Sequence, residues 1–393
     1  MKKNSALQGA SFLMATSAIG PGFLVQTSRF TEELLASFGF VILISLLLDV
    51  GAQVNIWRII TVSGKRAQDI ANQLLPGLGI FLACLIGFGG LAFNVGNIAG
   101  TGLGLQALAG IAPATGAIIS CLVALAIFWY REAGKLVDIF VKILGLAMIL
   151  FTVYVAISSR PPIGEAIYRT FWPEKINLLT IITLVGGTVG GYISFAGAHR
   201  LLDAGIKGND MQKQVTKSAV SGIVVTTFMR YVLFLAALGV VWHGGRLSEG
   251  NPAVSVFSQA AGRVGYHFFG MVMWCAAITS VVGASYTSVS FFKTLHPFIE
   301  RYQRIIVSVF ILISTMIFLL LGNPVNLLIM AGAINGLILP IALAMILLAA
   351  LQKRIVGNYH HPRWMLMAGW LVVAGVTYMG IVTIKNTVKL LTT

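Results

Sequence analysis

Ala18-Ile19-Gly20-Pro21-Gly22-Phe23 and Val185-Gly186-Gly187-Thr188-Val189-Gly190-Gly191-Tyr192 are the two stretches that decide the fold. The first interrupts the apolar run from Ala10 to Val25, the second the run from Leu178 to Phe195. Proline removes an amide donor and clashes with the preceding turn, and consecutive glycines weaken a helix. Backbone freed in this way at membrane depth persists only where protein or a water-filled cavity supplies its partners. Hydrophobic segments broken at corresponding positions of two halves point to the binding site of a secondary transporter.

The rest of the chain fits that setting. Its 393 residues are 57% hydrophobic and only 10% charged, with 43 glycines; a soluble domain carries roughly 25% charged residues. Apolar windows of about 20 residues place eleven spans, at 9–29, 34–57, 74–98, 112–130, 136–157, 178–202, 218–242, 264–292, 304–322, 325–351 and 364–385. The fold class expected is therefore an all-α membrane protein with eleven transmembrane helices. Five spans precede Ser159-Arg160-Pro161-Pro162, so a second copy starting near Leu178 would enter the membrane from the opposite side. This predicts one domain over 1–393, an inverted repeat of about 9–157 and 178–351, and an additional helix at 364–385.

The net charge of +15 is an orientation signal. Sixteen Lys and Arg fall on one face of these spans, Lys2, Arg58, Lys65 and Lys213 among them, against eight on the other. The positive-inside rule then puts the N-terminus in the cytoplasm and the C-terminus outside, as in a multi-pass protein of a bacterial-type inner membrane. No nucleic-acid partner is expected. Met1-Lys2-Lys3 leads into a run long enough to stay as a span, so no cleaved signal is expected. Cys84, Cys121 and Cys275 lie in apolar runs and read as buried thiols. No nucleophile–base pair, HExxH, phosphate loop or paired-carboxylate site is present, so the chain does not read as an enzyme. A sensor or scaffold is the weaker alternative, since no soluble partner domain is attached.

From Gly9-Ala10-Ser11-Phe12 through Gly20-Pro21-Gly22-Phe23 the chain resembles the first span of the NRAMP metal-ion transporters, aligned without a gap on their Asp-Pro-Gly-Asn motif. Val185-Gly186-Gly187-Thr188-Val189 is similar to the approach to the family's sixth-span Met-Pro-His-Asn motif. Thr61-Val62-Ser63-Gly64 resembles the end of span 2, and Gly322-Asn323-Pro324 with Leu339-Pro340 the span 9–10 region. The resemblance covers nearly the whole chain. It implies a LeuT-type 5+5 inverted repeat with the substrate site between broken helices 1 and 6. The family's metal donors, however, are replaced: its Asp falls on Gly20, its Asn on Phe23, its Met on Gly190, and its Pro, His and Asn on Gly191, Tyr192 and Ile193. A span-10 Gln falls on Gly332 and a span-3 Glu on Phe93. A divalent transition ion needs carboxylate, imidazole or sulfur donors, so the fold carries over and the metal chemistry does not follow.

Glycine leaves backbone bare to a ligand, and half-helices that start after a break aim amides and a positive dipole end into the cavity. The expected substrate-binding residues are Gly20, Pro21, Gly22, Phe23, Gly190, Gly191, Tyr192 and Arg230, with Phe195 as a further wall and a small, carboxylate-bearing organic solute as cargo. Arg230 lies mid-span in span 7 and needs an acceptor, either that cargo or Asp49 of span 2. Coupling-ion or proton candidates are Asp49, Thr279, Ser280 and His199. The hydroxyls Thr279 and Ser280 resemble the span-8 pair with which sodium-coupled LeuT-type carriers hold Na⁺, and His199 titrates in the useful range. Asp138 and Lys142 read as an i,i+4 pair, and Gly100, Gly102, Gly104 and Gly145 as close-packing positions. No cofactor is expected; coupling to Na⁺ or H⁺ stays open, as does the oligomeric state, for which a monomer suffices. The alternative reading is a divalent metal/proton symporter using Asn94, Asn97, Gln53 or Asp49 as non-standard ligands.

Overall fold

The apolar runs form helices, and the two glycine clusters are where they break. The computed structural model describes residues 2–130 and 146–392, with side chains described over 5–130 and 146–385. Asp138, Lys142, Gly145 and the start of the expected fifth span lie outside the described residues. In chain order the helices are α1 (Lys2–Ala18), α2 (Pro21–Leu34), α3 (Phe38–Ser63), α4 (Ala67–Leu74), α5 (Leu78–Ala109), α6 (Pro113–Trp129) and α7 (Leu146–Ser158). There follow α8 (Ile163–Phe171), α9 (Leu178–Val189), α10 (Ile193–Asp203), α11 (Gln212–Trp242), α12 (Pro252–Lys293), α13 (Pro297–Arg301), α14 (Gln303–Leu321), α15 (Pro324–Ala350), α16 (Lys353–Val356) and α17 (Arg363–Thr392). No strand occurs among the described residues.

Eight of these stretches are long and apolar enough to cross a membrane, or nine if the bent pair α7–α8 is one span. That count takes Pro21–Ser63 as a single helix and leaves out α1 and the 17-residue α6. The expected eleven is reached only when α1–α2, α6 and α7 each count as crossings. Span 8 starts where hydropathy put it: α12 is two helices joined at Ala261 (φ −134°) and Gly262 (φ +62°), the latter a conformation that favours glycine.

The broken span α9–α10 is the innermost, with 89% of its most apolar window buried against 28% for α14. It packs on α15 and α3, while α5 runs along α12 and α15. Small residues set these distances. Gly186 of α9 lies against the backbone of Gly332 and Gly336, Gly102 against Pro113, and Gly104 against Trp274. Cys121 and Cys275 are buried free thiols, but Cys84 is exposed on the outer surface of the helices, where an apolar side chain and a thiol are equally at home.

Candidate functional site

The first break is held by its own sequence. α1 ends at Ala18; Gly20 is extended (φ −108°, ψ −172°) and precedes Pro21, which opens α2. Proline suits that position because the amide it lacks would have no helical partner there. No side chain among the described residues caps α2, and the amides of Gly22 and Phe23 at its first turn are free of intrahelical bonds. The Pro21 ring packs directly on Gly100 of α5, where a Cβ would collide with it. Gly100 is thus a packing residue that seats the break.

The second break runs through Gly190 (φ −74°, ψ 167°) and Gly191 (φ +53°) before α10 begins after Tyr192. It is not the open cradle expected from its glycines. Asn335 of α15 fills the space: its Oδ1 occupies the position a Gly191 Cβ would need, and its backbone carbonyl abuts Gly190. The Asn335 amide donates to the carbonyls of Gly89 (2.9 Å) and Ala331 (2.8 Å), which ties α15 to α5 beside the break. Gly190 and Gly191 therefore serve backbone conformation and close approach, whereas Tyr192 reaches the cavity. Phe195 is packed edge-on against Phe291 and makes no cavity wall.

The cavity lies between the breaks. Ser17, Ala18, Gly20, Gly22, Phe23 and Gln26 supply one side, and Phe93, Gly96, Asn97, Gly187, Tyr192, Leu328 and Ala331 the others. Its volume is about 10 Å³, roughly the space of one water molecule, so this conformation is closed around it. Phe93 and Tyr192 meet edge to face at 5.7 Å. Every lining side chain is uncharged, and carboxylate, imidazole and sulfur are all missing from the lining. No group of three or more His, Cys, Asp or Glu converges anywhere among the described residues.

Gln26 and Asn97 are the amide side chains of the cavity that the sequence reading missed as cargo contacts. Gln26 is wholly buried; its Nε2 donates to the Leu328 carbonyl at 2.8 Å, and its Oε1 has no partner among the described residues. A signal was available, because Gln26 lies four residues after Gly22 and so shares its helix face. Gly332, where the family's span-10 Gln falls, has no room for a side chain: the Gln26 amide and Thr183 fill that space.

Arg230 is not in the cavity. Its guanidinium sits 4.5 Å from the ring centre of Phe23, on which it stacks. Its Nη1 donates to Thr188 Oγ1 at 2.8 Å, while Nε and Nη2 have no partner among the described residues. Asp49, 1% exposed, interacts with Arg230 and Thr188. Asp49 is thus the acidic side chain that acts electrostatically on Arg230, without a direct ion pair between them among the described residues, and Phe23 stands between the guanidinium and the cavity.

The coupling candidates separate likewise. Thr279 Oγ1 donates to its own helix, to the carbonyls of Cys275 and Ala276, and it is not among the atoms within 4 Å of where a Cβ on Gly20 would be. Ser280 Oγ lies 3.6 Å from where a Cβ on Gly20 would be, and Asn97 Oδ1 3.8 Å, so both flank the first break. His199 is buried against Phe291, and its Nε2 accepts the Ala67 amide at the start of α4. That is a helix-capping task. Of the alternative metal ligands, Gln53 donates to the Ala219 carbonyl, Asn94 to Ser314 Oγ, and Asp49 faces Arg230. Asn97 alone of these lines the cavity.

Comparison with known proteins agrees with this architecture. The chain is 60% identical over 380 residues to the membrane protein YcsG of Bacillus subtilis, covering 97% of this chain and 94% of that one. It is 22% identical over 400 residues to the divalent metal cation transporter MntH of Lacticaseibacillus casei, covering 94% and 87%. A crystal structure of the Eremococcus coleocola manganese transporter superposes with a TM-score of 0.74 at 14% identity, covering 97% of this chain and 86% of that one, which carries the fold alone. The model for the natural resistance-associated macrophage protein-like family matches residues 11–385. This chain belongs to that family of membrane transporters and has its LeuT-type fold.

Proposed function

We propose that this chain is a secondary transporter that moves a small, carboxylate-bearing organic solute by alternating access through the cavity between the two breaks. One observation carries the reading: the uncapped N-terminus of α2 opens on a cavity whose lining has no acidic, imidazole or sulfur side chain. The positive end of a helix and its free amides favour an anion. A divalent cation there would meet that positive end with no negative side chain to offset it. Gly20, Pro21, Gly22 and Phe23 form the anion-facing turn, and Tyr192 closes the cavity from the other break. Cargo enters in a conformation more open than this one. We further infer a cytoplasmic N-terminus, an external C-terminus, a bacterial-type inner membrane and a single domain with repeats of about 9–157 and 178–351.

The second reading is a divalent metal symporter. Water-sized space flanked by the amide oxygens of Gln26 and Asn97 favours it, and carbonyl oxygens suit Mn²⁺ better than softer ions. Uptake into proteoliposomes separates the two, with small carboxylic acids, cyclic and acyclic amino acids among them, set against Mn²⁺ and Cd²⁺. Saturable uptake of an acid supports the proposal; saturable Mn²⁺ uptake unaffected by every acid would overturn it.

A further inference from the structure

We infer that Gln26 is a specificity-determining residue, and that the cargo carries a hydrogen-bond donor, an N–H or O–H, which its Oε1 reads. The inference rests on the carboxylate reading above and deepens it. Gln26 is fully buried in the first turns of α2, at the cavity wall. Which end of its amide faces the cavity is settled by its other partner. Nε2 lies 2.8 Å from the Leu328 carbonyl, and a flipped amide would set two acceptors against each other. Oε1 is therefore the free end. It lies 2.9 Å from the position a Cβ on Gly187 would take, and Gly187 is itself a cavity residue. Glycine at 187 thus leaves the acceptor uncovered.

A buried acceptor without a partner is unfavourable, and most such groups in folded proteins are satisfied. Here the partner is supplied by what occupies the cavity. The amides of Gly22 and Phe23 offer donors to an anionic end, while one turn further along the same helix Gln26 offers an acceptor. The two together recognise a small acid with a donor a few atoms from its carboxylate. An analogue without that donor leaves Oε1 buried and unpaired, and such a site rejects it strongly.

Matched pairs test this on the unaltered protein in proteoliposomes: N-acetylglycine against N-acetylsarcosine for an N–H donor, and lactate against 2-methoxypropanoate for an O–H donor. At least one pair should show the donor-bearing acid preferred by roughly 5- to 150-fold, the range of one unmade buried hydrogen bond. The pair that discriminates identifies the donor. In Gln26→Met, which keeps the length and removes the acceptor, that preference should fall to within about twofold. If acids are taken up but both pairs are equal in the unaltered protein, a resident water satisfies Oε1; the donor assignment fails and the carboxylate reading stands. If no acid is taken up while Mn²⁺ is, both fail.

Discussion

Replacing Arg230 by Met distinguishes a structural charge network from a cargo contact. Arg230 and Asp49 are 2% and 1% exposed, they interact electrostatically, and both interact with Thr188. Thr188 Oγ1 already donates to the Leu184 carbonyl at 2.8 Å, so it can accept from Arg230 without losing its own bond. Removing the guanidinium takes away the positive charge that acts on buried Asp49 and leaves Thr188 Oγ1 without its donor. No direct ion pair joins the two among the described residues, and Asp49 Oδ1 and two guanidinium nitrogens lack hydrogen-bond partners there, so the cost is that of leaving one buried polar group uncompensated, up to about 3 kcal/mol. That is roughly a 150-fold shift in the folding equilibrium, and about 6 °C in melting temperature at ~2 °C per kcal/mol for a large chain. Asp49→Asn in the same chain should restore most of it, since neither charge then remains. Thermal unfolding in detergent of both single variants and the double variant completes the cycle. Additive losses in the double variant would refute the network. Unchanged stability of Arg230→Met combined with lost acid uptake would instead return the guanidinium to the cargo.

Gly191→Ala should lower the melting temperature and abolish uptake, because a Cβ meets Asn335 Oδ1 at a positive φ that costs an L-residue about 1–2 kcal/mol; thermal unfolding with uptake reads both. Ser280→Ala should change the Na⁺ or H⁺ dependence of uptake and Thr279→Ala should not, since only Ser280 turns toward Gly20; equal effects would remove the coupling role. His361, in the loop before α17, bonds Asn55 Oδ1 at 2.7 Å, and burial with the nearby Arg58 lowers its pKa from 6.5 to about 4. The unfolded chain then binds the proton first, so stability should fall as pH drops from about 6.5 to 4. A melting-temperature series of the unaltered protein and His361→Gln checks this, with the variant expected to be flatter over that window.

What the sequence made legible was whatever breaks a helix. Gly20-Pro21-Gly22 and Gly190-Gly191 announce themselves because proline and glycine act on the backbone they belong to, with no help from a partner. What it hid was whatever depends on a partner distant in the chain. Asn335 sits in the apolar run of α15, and nothing within ten residues of it says that its amide closes the second break. The two glycine clusters read alike in sequence, yet one faces a cavity and the other is filled by that single side chain. The same blindness applied to charge. Arg230 and Asp49 are 181 positions apart, and the sequence left pair and cargo contact as alternatives; Phe23, whose ring bears the guanidinium, decides between them in this conformation. It follows that Phe23 is the element to watch. It lines the cavity on one side and carries Arg230 on the other, so any conformation that enlarges the cavity past Phe23 brings a buried cation toward the cargo. A carboxylate arriving there would compete with Asp49 for the same guanidinium. Occupancy of the cavity and the state of the charge network would then be coupled through one aromatic ring. Phe23→Leu, which keeps apolar bulk without the cation–π contact, should alter acid affinity more in Arg230-containing protein than in the Arg230→Met, Asp49→Asn background. Equal effects in both backgrounds would show that the ring acts only as a wall.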